Sequence, residues 1–104
     1  MSEHLVSEAL RRRQLFNRLS VFLKRLKEIV LGVDPKAEVY LFGSVAEGTY
    51  NSSSDVDVLI VTDEDRFKML EAIVKEDFAE IFEFHVRKLK EKAWYEKMTR
   101  LVRV

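Results

Sequence analysis

A chain of 104 residues, 47% apolar, with three Gly and one Pro, has the material for one small cored domain and no room for a second. With no cysteine it excludes disulfides and thiolate metal sites, and with no run near 18 apolar residues and no apolar leader it is expected to be cytoplasmic, neither spanning a membrane nor exported. Its net charge of zero is unevenly spread: residues 1–31 carry seven Lys/Arg against three Asp/Glu (+4), residues 32–84 four against thirteen (−9), and residues 85–104 seven against two (+5).

An acidic middle of this kind gathers cations, and basic flanks can meet an anionic ligand or partner or simply be solvated. A nucleic-acid binder is disfavoured, because the pI is near 6.7 and no groove-reading motif or aromatic platform is present.

Residues 4–31 read as one helix, with Leu5, Ala9, Phe16, Leu19, Leu23, Leu26 and Val30 on a single face. Gly32 is its natural stop, and Asp34-Pro35 begins a turn. Residues 38–42 (EVYLF) form a first strand, followed by a small, polar connection from Gly43-Ser44 through Gly48 to the run Asn51-Ser52-Ser53-Ser54. Residues 55–61 (DVDVLIV) form a second strand. Thr62 can cap a helix over residues 64–76, with Asp63, Glu64 and Asp65 at its positive end and Phe67, Leu70, Ile73 and Val74 buried. Residues 81–87 (IFEFHVR) form a third strand and residues 88–100 a basic helix, whose Trp94-Tyr95 pair can be core or interface. The fold class is α/β (α+β), a small mixed sheet packed on helices, not a helical bundle. One domain, 1–104, then comprises an N-terminal helix (1–31), a sheet region (38–87) and a basic C-terminal helix segment (88–104).

In the second strand, Asp55 and Asp57 project to one face, Val56, Val58 and Ile60 to the other. Adjacent carboxylates raise each other's pKa unless a cation intervenes, and Mg²⁺ takes oxygen ligands while leaving positions for phosphate. Alone, an Asp-x-Asp is often only a solvated strand end. Gly43-Ser44, directly after a strand, adds backbone N–H groups that can face an anion, or else forms a plain turn. There is no Walker A loop, since no Lys lies between Gly43 and Val61, and no Rossmann Gly-x-Gly-x-x-Gly.

Leu-Phe-Gly43-Ser44, a spacer of ten residues containing Gly48, then Asp55-Val-Asp57-Val resembles the signature of the polymerase-β-like nucleotidyltransferase superfamily. The string GSVAEGTYNSSSDVDVLIV is similar to the minimal, single-domain members of archaea and bacteria. The resemblance implies a Mg²⁺-dependent nucleotidyltransferase that moves a nucleoside monophosphate from ATP or another NTP to a hydroxyl, using two Mg²⁺ ions. It assigns Asp55 and Asp57 to metal binding and catalysis, and Gly43, Ser44 and Ser54 to the nucleotide. It also implies a third carboxylate on the next strand. Glu83, among Phe82, Phe84 and Val86 that face away, is favoured over Glu80 at the start of that strand, although relatives usually carry Asp there. His85, on the face of Glu83, can orient an acceptor, carry a proton, or be hydrogen-bonded structure.

Minimal members of this family are often paired with a helical HEPN-type protein, which implies such a partner and a toxin–antitoxin role; a homo-oligomer is also compatible. Glu47 departs from the pattern of the minimal members, standing where they often have Arg in Gly-Ser-x-Ala-Arg-Gly, and so removes a cation near the expected phosphates. The alternative reading is therefore a non-catalytic module that neutralises its partner by contact.

Overall fold

Five of the six residues of Val56–Val61 are buried, as in a strand covered on both faces, and the other elements are arranged around it. A computed structural model describes residues 7, 9–10, 13–14, 16–49 and 55–104. In chain order they form α1 (Leu19–Val33), β1 (Glu38–Phe42), α2 (Gly43–Glu47), β2 (Val56–Val61), α3 (Arg66–Ile73), a 3-10 turn (Asp77–Ile81), β3 (Phe82–Arg87), α4 (Leu89–Met98) and β4 (Val102–Arg103). The sheet order is β3-β2-β1-β4, with β2 and β3 parallel and the other pairs antiparallel. The expected mixed sheet on helices is therefore present, and the parallel pair is joined by α3, as a crossover requires.

The strands alternate, so the sheet has two distinct faces. Val39, Val56, Val58, Ile60, Phe82 and Val86 pack against Leu26 and Val30 of α1 and Met69 and Ile73 of α3. Each such side chain contributes about 1.5–3 kcal/mol on burial, which makes this layer the main source of stability. The opposite face is smaller: Tyr40, Leu59 and Val61 pack against Tyr95 of α4, with Phe42 and Leu101 at the margin.

Several expected boundaries move. The N-terminal helix is interrupted by a turn at Arg18 (φ −104°, ψ 19°), and α1 starts after it; the described residues ahead of Arg18 are otherwise helical. No Gly or Pro marks the break, so the apolar spacing reads straight through it. Leu5 lies outside the described residues. Helix α1 also runs through Gly32 to Val33. Asp34 ends it in an extended conformation (φ −141°, ψ 104°), the bias imposed by the following Pro35.

Thr62 does not cap α3. Its hydroxyl accepts from the Glu64 N–H at 3.0 Å and donates to Asp34 at 2.6 Å, whereas Asp65 is the N-cap and accepts from the Phe67 N–H at 3.0 Å. The helix is only eight residues long and turns Met69 and Ile73 inward. Phe67, two residues from Met69, falls on the far side and is 76% exposed; Val74 is 62% exposed. Ile81 belongs to the 3-10 turn, not to β3. Helix α4 stops at Thr99, and the short β4 that follows completes the sheet beside β1. No helix among the described residues is long and apolar enough to cross a membrane.

Candidate active site

Register assembles the site. Parallel pairing places Glu83 beside Asp57 and His85 beside Leu59, and antiparallel pairing places Phe42 on the other side of Asp57. Partners in register project to the same face, so Phe42, Asp57 and Glu83 lie side by side with His85 one step further along. Ligand-type atoms of Asp57, Glu83 and His85 all lie within 4.8 Å of one another. His85 Nε2 is 3.9 Å from Asp57 Oδ1 and 3.7 Å from Glu83 Oε1.

The electrostatics of this cluster are unresolved by the protein itself. Burial pushes the Asp57 carboxyl up to about 6 from its ordinary 3.8, helped by the charge of Glu83, a hydrogen bond shared with Glu83, and the charge of Asp55. Burial also lowers His85, outweighing the pull of Glu83, and Arg87 lowers it further. The imidazole is then neutral near pH 7 and forms no true ion pair with either acid. Its Nδ1 lies 3.2 Å from the Tyr95 hydroxyl, while its Nε2 is buried and has no hydrogen-bond partner. Two carboxylates and an unpartnered imidazole nitrogen are a donor set that fits a divalent cation.

Gly43 is held against this cluster by its own backbone. It has φ +71°, and a Cβ there would overlap Asp57 Oδ2 and come within 3.3 Å of Asp57 Cγ. The glycine is required twice, by conformation and by the carboxylate it touches. Its N–H donates to Thr99 Oγ1 at 3.2 Å, which ties the end of β1 to the end of α4. Ser44 follows in the first turn of α2, and that short helix closes on Gly48 in the left-handed region (φ +77°).

The residues expected at the site are thus distributed unequally. Asp57 and Glu83 converge. Asp55 is exposed just ahead of β2 and acts on Asp57 through its charge, but among the described residues the converging ligand atoms are those of Asp57, Glu83 and His85. Glu80 lies in the 3-10 turn and is exposed. Gly43 adjoins Asp57, Ser44 sits next to it, and Ser54 lies outside the described residues. Tyr95 and Thr99 are additions: nothing in the spacing of α4 marks one as a partner of His85 or the other as a partner of Gly43. Of the aromatic pair on α4, Tyr95 is core, at 6% exposure, and Trp94 is 58% exposed.

A groove of about 1020 Å³ opens beside the cluster, sharing Gly43 and His85 with it. Phe42, Trp94 and Met98 supply apolar wall, and Glu47 and Lys90 supply charge. It is at the upper end of the size range of small-molecule sites.

The family model described as "Nucleotidyltransferase domain" matches residues 19–103, which takes in every element from α1 to β4. A crystal structure named "putative nucleotidyltransferase" is 38% identical, with a TM-score of 0.67, over 80% of this chain and 97% of that one. A second, also named "putative nucleotidyltransferase" and from Sulfolobus solfataricus, is 25% identical, with a TM-score of 0.56, over 97% of this chain and 87% of that one. No curated protein matches the sequence. With the sheet, the helices and the Gly43-Ser44 to Asp57 segment all inside the matched span, the chain belongs to the nucleotidyltransferase domain family, of polymerase-β-like fold.

Proposed function

We propose that the chain transfers a nucleoside monophosphate, AMP from ATP, to a hydroxyl of a protein or small-molecule acceptor, with release of pyrophosphate. The observation that carries this reading is the convergence of Asp57 and Glu83 across two parallel strands, with Gly43 packed on the Asp57 carboxylate. Asp55, Asp57 and Glu83 would hold the metal, two Mg²⁺ ions in the full reading. When bound, Mg²⁺ supplies neutralisation of phosphate charge and acidifies the attacking hydroxyl. Gly43, Ser44 and Ser54 hold the triphosphate, and the left-handed turn at Gly43 lets it approach the carboxylates without a side chain between. The adjoining groove offers room for a ligand of nucleotide size. Positioning and charge stabilisation supply most of the rate in chemistry of this type.

The acceptor is a helical HEPN-type partner, and the chain acts as antitoxin by modifying it. Incubation of the co-expressed pair with ATP and Mg²⁺ should add the mass of one nucleotide to the partner. Asp57→Asn should abolish that gain while its circular dichroism stays native. A folded Asp57→Asn protein that still transfers would sink the assignment. A second reading is favoured by Glu47, an acid that lines the same groove as Gly43. In that reading the chain silences its partner by contact alone, and a tight complex with no mass gain is the expected result.

A further inference from the structure

His85 is engaged at one nitrogen and idle at the other. Nδ1 lies 3.2 Å from the hydroxyl of Tyr95, itself buried. The ring is fixed between Phe42 (centroids 4.9 Å apart, interplanar angle 76°) and Tyr95 (5.8 Å, 78°), so its direction is set by packing. That direction points Nε2 at the carboxylates, buried and without a hydrogen-bond partner. The gaps of 3.7 Å to Glu83 Oε1 and 3.9 Å to Asp57 Oδ1 are too long for hydrogen bonds. They do suit donors around one ion: ligands about 2.1 Å from a metal stand roughly 3.0 Å apart at right angles and about 4.2 Å apart when opposite.

We propose that His85 Nε2 is a metal ligand, completing an Asp57–Glu83–His85 donor set that prefers Mn²⁺, Co²⁺ or Zn²⁺ to Mg²⁺. The proposal rests on the reading that Asp57 and Glu83 hold the catalytic cation, and it assigns His85 a role that three carboxylates alone would not need. Mg²⁺ favours oxygen donors, whereas sites with an imidazole nitrogen bind more tightly along the first-row series. Tyr95 is the positioning residue. When its oxygen accepts from Nδ1–H, the imidazole is fixed in the tautomer whose Nε2 lone pair faces the acids.

The test uses the full chain without nucleotide. Co²⁺ binding is followed by visible absorption, and Co²⁺ and Mg²⁺ are compared by calorimetry, for the wild type, His85→Gln and Asp57→Asn. The wild type should bind Co²⁺ at least about 30-fold more tightly than Mg²⁺. His85→Gln should lose at least about 10-fold in Co²⁺ affinity while its Mg²⁺ affinity stays within about threefold. In the ¹⁵N imidazole spectrum of the wild type, Zn²⁺ should move the Nε2 resonance that His85→Gln deletes, and this readout does not depend on the variant's stability. Unchanged Co²⁺ affinity in His85→Gln, or an Nε2 resonance unmoved by Zn²⁺, overturns the proposal. If Asp57→Asn also binds Co²⁺ as the wild type does, the carboxylate reading falls with it; if only Asp57→Asn loses the metal, His85 alone is excluded.

Discussion

Replacing Asp57 with Asn should stabilise the metal-free protein while ending its transfer activity. A carboxyl raised from 3.8 to about 6 places roughly 3 kcal/mol of penalty on its ionised form, at about 1.4 kcal/mol per pH unit. The side chain retains 26% exposure, so solvent screening takes part of this, and about 1–2 kcal/mol is expected to survive. The pH window follows from the direction of the shift. Below pH 3.8 the group is protonated in both states and costs nothing. Between there and about pH 6 the native state keeps a proton that the unfolded chain has lost, so stability falls as pH rises. Above that the full penalty stands. Asn carries no charge at any pH, so the variant's advantage should be absent near pH 3.5, grow through pH 5 and level off above pH 6.5. In a domain of this size the plateau corresponds to a Tm higher by roughly 5–10 °C. Urea and thermal melts in EDTA across that pH series measure it. A divalent cation should then raise the Tm of the wild type and leave that of Asp57→Asn in place. A variant that is no more stable at pH 7.5 than at pH 4, relative to the wild type, would refute the argument that Asp57 is a strained, repelled carboxylate.

Gly43→Ala forces a side chain into the left-handed region and onto the Asp57 carboxylate, so it should cost about 1–3 kcal/mol in urea melts and abolish transfer. A folded, active Gly43→Ala protein would mean that Asp57 can act from another position. Glu47→Arg replaces a negative wall of the groove with a positive one; the KM for ATP should fall several-fold at low salt, and the gain should shrink as ionic strength rises. An unchanged KM would place Glu47 away from the phosphates. Tyr95→Phe keeps the ring packed on Phe42 and His85 but removes the partner of Nδ1; Co²⁺ affinity should fall about 10-fold, with stability changed by no more than about 1 kcal/mol.

Much of the sheet is legible in the chain because strand patterning is local. Val56, Val58 and Ile60 fall at alternate positions and, with Val39, share the face packed on the helices, while Leu59 and Val61 are buried on the other face. The same period places Glu83 and His85 on one face, and the family signature ties Gly43-Ser44 to Asp57. The helices were less readable. In α3 the inward face is carried by Met69 and Ile73, four residues apart, and Phe67, two residues or about 200° from Met69, turns to solvent although it had the stronger apolar claim. Non-local partners were not readable at all. Thr99 meets Gly43 across 56 residues, and Tyr95 meets His85 because the chain doubles back after β3. Neither pairing leaves a periodic trace.

The position of the acids within the sheet explains why they are both costly and useful. Helix α4 covers Leu59 and Val61 through Tyr95, so on this face the buried part of β2 begins two residues after Asp57. Asp57 sits at that margin, mostly buried with 26% of its side chain exposed, while Glu83 keeps 59% exposure. The two carboxylates therefore differ in solvation although they are register partners. The more buried acid carries the desolvation penalty, and Gly43 packs on it and limits its relief by movement. The more exposed acid is the one open to solvent, where a second reactant can approach. A cation at this margin would satisfy the buried acid and still be reachable from the groove. In the reading proposed here, metal affinity and the apo-protein's instability are two expressions of the same carboxylate, and weakening one should weaken the other.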